Sequence, residues 1–138
     1  MRTLRIRAVS QAASSRLRIL VADDERDTVD TLRLVLQDEG HEVHAVHRGP
    51  EVLRAVLDLD PDAVLLDIGL PELSGHEVAR KIRECCGDER PMLIGISGRY
   101  KRGADKALAH LNGINHYLVK PADPSSILAY LAPLKKPD

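Results

Sequence analysis

The sequence predicts an α/β fold: an open, doubly wound sheet of five parallel strands with helices on both faces. Three observations carry that reading. Short apolar runs alternate with segments of helical periodicity five times over, with no internal repeat and no low-complexity stretch. The runs are nearly continuous in apolar residues, as strands buried on both faces are. The 138 residues are too few for a closed eightfold barrel, which needs about 250, and right-handed β-α-β crossovers make the open sheet the natural alternative.

Each element has its own justification. Residues 17–22 are apolar except for Arg18 and read as the first strand. Residues 26–39 place Val29, Leu32, Val35 and Leu36 at helical spacing, and Gly40 supplies a C-terminal stop. Residues 43–46 form the second strand, and Gly49-Pro50 opens a helix carrying Val52, Leu53, Val56 and Leu57. Residues 63–66 are the third strand. The third helix aligns Val78, Ala79, Ile82 and Cys86 on one face. Residues 92–96, 103–112 and 116–119 read as strand, helix and strand, and residues 123–134 close the chain as a helix with Ile127, Leu131 and Leu134 inward.

Composition narrows the class of function. Basic and acidic residues number 20 and 21, for a net charge of −1, which argues against a binder of the nucleic-acid backbone. No apolar run approaches the ~18–20 residues that span a bilayer, and no secretory h-region is present. The two cysteines, Cys85 and Cys86, are adjacent, which is poor geometry for a disulfide and offers no metal spacing. A reducing cytoplasm is the expected location. Phe and Trp are absent, so the core must be aliphatic. Five arginines precede the first acid, Asp23, leaving the remainder at −6 with 15 basic against 21 acidic residues. Residues 1–16 are accordingly read as a flexible basic extension, preferred over an organelle transit peptide. Residues 17–134 form the single domain and residues 135–138 a short tail.

An open α/β sheet binds ligands at the carboxyl ends of its strands. The first strand ends in Asp23-Asp24, the third in Asp67, the fourth in Ser97-Gly98 and the fifth in Lys120-Pro121. One Asp or Ser at a strand end is ordinarily a helix cap. Three carboxylates, a hydroxyl and an ammonium on one edge are not explained that way. Carboxylates a few ångströms apart repel by ~1–4 kcal/mol per pair, and Lys120 offsets only one charge. A divalent cation with oxygen ligands completes the account, and Mg²⁺ suits a site of few carboxylates and several waters.

These residues, together with the run LLDIGLPELSG over residues 65–75 and Tyr117 three places before Lys120-Pro121, resemble the receiver domain of bacterial two-component response regulators. The resemblance covers residues 17 to about 134. It implies a flavodoxin-like sheet of order 2-1-3-4-5 and a phosphorylation-dependent signalling switch. Asp67 would be the phosphoacceptor, receiving a phosphoryl group from a histidine kinase or phosphotransfer protein. Asp23, Asp24, Asp67 and the backbone carbonyl of Gly69 would hold Mg²⁺. Lys120 would pair with a phosphoryl oxygen, across a Lys120–Pro121 bond expected to be cis. Ser97 would move to donate a hydrogen bond to phosphate, and Tyr117 would turn inward with it. Output would run to a protein partner through the face of the fourth helix, fifth strand and fifth helix. Gly69 and Arg99 occupy variable positions that influence the lifetime of the acyl phosphate, and Gly98 stands where alanine is common. The resemblance implies a receiver that would catalyse its own phosphorylation, with autodephosphorylation open to it, and would not be a turnover enzyme.

The chain stops soon after the last helix, so neither a DNA-binding nor an enzymatic output domain is expected. A stand-alone regulator and a receiver excised from a hybrid kinase both fit. An aspartate-based phosphatase would need a second Asp where Gly69 stands, and a phosphorylation-independent interaction module would not need so complete a pocket. His41, His44 and His47 form H-E-V-H rather than a zinc-binding H-E-x-x-H at their first pair and are expected to be a solvated cluster. Cys85-Cys86 is expected to end a helix with one residue inward, and neither His76 nor His116 has an identifiable catalytic partner.

Overall fold

Parallel register, set by burial on both faces, organises the molecule. The computed structural model describes residues 16–98 and 103–135, with only the backbone of residues 103–105. In chain order the elements are β1 (Arg18–Ala22), α1 (Arg26–Asp38), β2 (Glu42–Val46), α2 (Gly49–Leu59), β3 (Ala63–Asp67), α3 (Gly75–Cys86), β4 (Met92–Ser97), α4 (Gly103–Leu111), β5 (His116–Val119) and α5 (Pro124–Leu131), followed by a 3-10 turn at Ala132–Leu134. The sheet order is β2-β1-β3-β4-β5, and every pairing is parallel.

Successive strand residues point to opposite faces, and this divides the core in two. Leu20, Ala22, Val64, Leu66 and Leu93 face Val52 and Val56 of α2, Val78, Ala79 and Ile82 of α3, and Ala109 of α4. Ile19, Val21, Ala63, Leu65, Ile94 and Ile96 face Val29, Leu32 and Leu36 of α1 and Ile127 and Leu131 of α5. Each fully buried Leu, Ile or Val side chain contributes about 1.5–3 kcal/mol, so an aliphatic core suffices without Phe or Trp. Among the described residues, no helix is long and apolar enough to cross a membrane.

The elements depart from the sequence reading mainly at their ends. The last helix ends at Leu131 and tightens into the 3-10 turn, where Pro133 lies and lacks the N–H that a continuing α-helix requires. Cys85 and Cys86 are both exposed, correcting the expectation that one faces inward. They occupy the final turn of α3, beyond Ile82, the last buried residue on that helix. The histidine expectation also needs correction. His41 is buried at 3% exposure, its Nδ1 accepting from the Leu17 N–H at 3.1 Å, because it sits in the turn that leads from α1 under the start of β1. The basic extension falls outside the described residues except for Arg16, as does the tail except for Lys135.

Candidate functional site

Residue pairing brings four strand ends to one edge. Ala22 is level with Leu66, Asp67 with Ile96, and Ser97 with Val119. Asp23-Asp24 and Lys120 therefore emerge beside Asp67 and Ser97. The chain leaves β1 toward β2 on one side and β3 toward β4 on the other, so the crevice opens at the switch point beside β1 and β3.

The acidic groups are held close. Asp23, Asp67 and Ser97 are buried at 2%, 5% and 3% exposure, whereas Asp24 is exposed. One carboxylate oxygen from each of Asp23, Asp24 and Asp67 lies within 4.8 Å of the others. Asp23 Oδ1 accepts from the Glu25 N–H at 2.9 Å, and Asp67 Oδ1 from the Gly69 N–H at 2.9 Å. Each bond orients its carboxylate so that Oδ2 turns toward Lys120, whose Nζ lies 2.9 Å from Asp23 Oδ2 and 3.6 Å from Asp67 Oδ2. The Lys120–Pro121 peptide is cis.

Electrostatics mark Asp67 as the unsatisfied member. Burial pushes its carboxyl above the usual range, and the charges of Asp23 and Asp24 add to this, against the opposing Gly69 N–H and Lys120. Burial works against the Lys120 charge too, but hydrogen bonds to Glu25 and Asp23 and the charges of Asp23 and Asp67 hold its ammonium well above the usual range. Three carboxylates facing one ammonium leave an excess of negative charge worth ~1–4 kcal/mol per repelling pair. The donors are hard oxygens, and their excess charge fits a small divalent cation such as Mg²⁺.

The pocket is the inner end of a groove of about 920 Å³ that includes Asp24, Glu25, Thr28, Gly98 and Pro121 along its walls. A side chain begun at Gly98 would lie 3.7 Å from Lys120 Cδ, so its absence leaves open space over the lysine stem. The loop after Asp67 is fixed from several sides. Gly75 opens α3 so close beneath it that a Cβ would lie 2.7 Å from Ile68 Cα and 2.8 Å from the Asp67 carbonyl, which makes glycine necessary there. The Ser74 hydroxyl caps α3 by accepting from the Glu77 N–H, and Arg48 pairs with Glu72.

Tyr117 stands apart from the pocket. It is level with Gly95 on β5 and packs against the α2–α3–α4 core. Its hydroxyl is buried with no hydrogen-bond partner among the described residues, rather than solvated as an ordinary strand tyrosine would be. It lines a separate cleft of about 490 Å³ with Lys106, His110, His116 and Tyr130, where the rings of His116 and Tyr130 stack 3.9 Å apart. Arg99 lies outside the described residues.

Two contacts at the pocket escape a reading of strand ends alone. Glu25 Oε1 lies 2.7 Å from Lys120 Nζ, and His47 Nδ1 donates to the Asp23 carbonyl at 3.0 Å. Glu25 follows the acid pair directly, so position alone could have flagged it. His47 could not be found that way, because its approach depends on how β2 lies against β1.

The family model for the response regulator receiver domain matches residues 19–132. The chain is 36% identical over 110 residues to an uncharacterized 14.6 kDa protein in the sodA1 3′ region of Leptolyngbya boryana, covering 80% of this chain and 83% of that one. It is 35% identical over 114 residues to the DNA-binding response regulator MtrA of Mycobacterium tuberculosis, covering 83% of this chain but only 48% of MtrA, about half its length. A CheY-like response regulator receiver domain protein from Methanospirillum hungatei superposes with a TM-score of 0.75 at 26% identity, covering 83% of this chain and 89% of that one.

Proposed function

The chain belongs to the response regulator receiver family, and we propose that it is a phosphorylation-dependent switch whose phosphoacceptor is Asp67. The observation that carries this is the state of that carboxylate: buried, with one oxygen tied to the Gly69 N–H and the other 3.6 Å from the Lys120 ammonium. Such an oxygen is oriented and poorly neutralised, which suits an in-line attack on phosphorus. The new bond joins Asp67 oxygen to phosphorus as the donor's bond to phosphorus breaks, its electron pair leaving with the donor. The donor is a phosphohistidine on a sensor kinase or phosphotransfer protein.

Asp23, Asp24, Asp67 and the Gly69 carbonyl are the ligands proposed for Mg²⁺, which when bound supplies charge neutralisation for the transferring group. Lys120 then pairs with a phosphoryl oxygen, and Ser97 donates a hydrogen bond to another. Ser97 and Tyr117 lie on adjacent, paired strands, which supports the reading that movement of Ser97 is felt at the tyrosine. The buried hydroxyl, without a hydrogen-bond partner among the described residues, gives Tyr117 a reason to change position. Output then passes to a downstream protein at the α4–β5–α5 face, where the Tyr117 cleft opens. Residues 17–134 constitute the functional unit, with residues 1–16 as a basic extension and 135–138 as a tail. Gly69 and Arg99 are proposed to set the lifetime of the acyl phosphate. The DNA binding in MtrA's name is not carried over, because the match covers about half of that protein.

Incubation with Mg²⁺ and acetyl phosphate, followed by intact-mass measurement, tests the proposal. A Mg²⁺-dependent gain of one phosphoryl group is expected in the wild type and none in Asp67→Asn. Equal modification of the variant would remove Asp67 from the role. Lys120→Ala should separate phosphorylation from movement at Tyr117, and a normal Tyr117 response to phosphorylation in that variant would contradict the coupling.

A further inference from the structure

We infer that Glu25 occupies Lys120 in competition with the phosphoryl group, and so sets how readily this receiver enters its phosphorylated state. The inference rests on the Asp67 reading above and adds a residue to it.

Lys120 Nζ is closest to Glu25 Oε1, at 2.7 Å, with Asp23 Oδ2 at 2.9 Å and Asp67 Oδ2 at 3.6 Å. The ammonium is thus committed to the first two carboxylates and stands outside hydrogen-bonding distance of the third. The Glu25 carboxylate is not a loose surface group that happens to lie nearby. Its Oε1 also accepts from the Thr28 hydroxyl at 3.1 Å, and its backbone N–H is tied to Asp23 Oδ1. It presents anionic oxygens to the same lysine that is proposed to receive the oxygens of a phosphoryl group.

Charge strengthens the competition. With Mg²⁺ bound, three carboxylates are balanced by the cation and Lys120, and Glu25 adds a negative charge to that neutral set. Phosphorylation adds more in the same place. Glu25 therefore opposes the product twice, by holding its lysine and by repelling its charge. The side chain of Glu25 is 61% exposed, so water screens both effects and the grip is weak enough to yield. Glu25 is a positioning residue, acting on the phosphoryl group through Lys120.

The test is a calorimetric titration of the full chain with beryllofluoride, the stable phosphoryl mimic, at saturating Mg²⁺. Glu25→Gln and Glu25→Ala should bind it roughly 1.5–5-fold more tightly than the wild type, in line with the modest strength of an exposed ion pair. Their affinity for Mg²⁺ alone should be unchanged or lower, because an acidic neighbour is lost. General damage to the pocket would lower both affinities, so the opposite movement identifies the competition. Asp27→Asn removes one charge from the same groove wall, and Asp27 forms no ion pair with Lys120 among the described residues. A gain in Asp27→Asn equal to that in Glu25→Gln would overturn the lysine-specific mechanism. So would unchanged or weaker beryllofluoride binding in both Glu25 variants while the wild type binds. Failure of the wild type itself to bind would instead overturn the phosphoacceptor reading, and the role of Glu25 with it.

Discussion

The two ends of the parallel sheet treat charge in opposite ways. At the end where the strands begin, charged and polar groups are mostly matched to partners, His41 Nε2 being an exception among the described residues. The Arg18 N–H donates to Asp62 Oδ2 at 2.7 Å, and Arg90 pairs with the other oxygen of Asp62 at 2.9 Å. Asn115 Oδ1 accepts from both the Leu93 N–H and Arg83 Nη2, while Arg83 Nε and Nη1 reach the carbonyls of Gly113 and Gly87. At the end where the strands finish, Asp23, Asp67 and Glu25 share one lysine, and Asp24 adds a fourth carboxylate beside them. The same fold supplies both ends, so the imbalance is not imposed by the architecture. A fold keeps uncompensated buried charge at a cost in stability, and the place where it does so is a candidate for binding what would compensate it.

Removing Lys120 should sharpen this contrast most. Lys120→Met keeps the stem but leaves the carboxylates without their cation, and in the absence of Mg²⁺ it should lose about 3 kcal/mol of stability, as broken buried ion pairs do. Saturating Mg²⁺ should then stabilise the variant more than it stabilises the wild type. Urea unfolding with and without Mg²⁺ measures both. A variant as stable as the wild type without Mg²⁺ would show that the strand-finish end is not electrostatically loaded.

Arg83→Ala breaks the balanced end instead. It removes hydrogen bonds to Gly113, Gly87 and Asn115 and should cost about 2 kcal/mol, since two of the carbonyl partners remain close to water and one acceptor keeps its Leu93 donor. Mg²⁺ and beryllofluoride affinities should not change, because the lesion lies at the far edge of the sheet. If both affinities fell with stability, the two ends would not be independent.

The same contrast explains what was legible in the sequence. Strand positions and the residues Asp23, Asp24, Asp67, Ser97 and Lys120 could be read because buried strands leave an unbroken apolar signature and their ends are then fixed in space by parallel register. The 3-10 ending after Leu131 was less clear, because Leu134 continues the apolar spacing across Pro133. Periodicity alone puts Cys86 on a buried face, but α3 outruns the sheet it packs on after Ile82. His41 looked like its polar neighbours His44 and His47. Its burial comes from the Leu17 N–H of another segment, a pairing that no local pattern encodes. Glu25 is legible by its place directly after the acid pair, whereas His47 is not, because its partner, the Asp23 carbonyl, lies 24 residues away.

His41 gives the smallest effect and the most specific one. At the strand-start end, its Nδ1 accepts from Leu17 and its Nε2 is buried with no partner among the described residues. Burial, with help from the charge of Lys135 and against Glu39 and Asp62, pushes its imidazolium below the usual range. Protonation would also place a donor at Nδ1 where an acceptor is needed. The unfolded chain therefore binds this proton more readily than the folded one. The stability it contributes is fully present above about pH 6.5, the ordinary histidine value, and is lost as the pH falls from there toward the depressed folded value. Asn places an acceptor oxygen near the position of Nδ1, so His41→Asn should retain the bond to Leu17 and abolish the proton linkage. Urea midpoints at pH 7.5 and pH 5.5 should differ less in His41→Asn than in the wild type. An identical pH dependence in the two proteins would show that His41 does not carry the acid sensitivity.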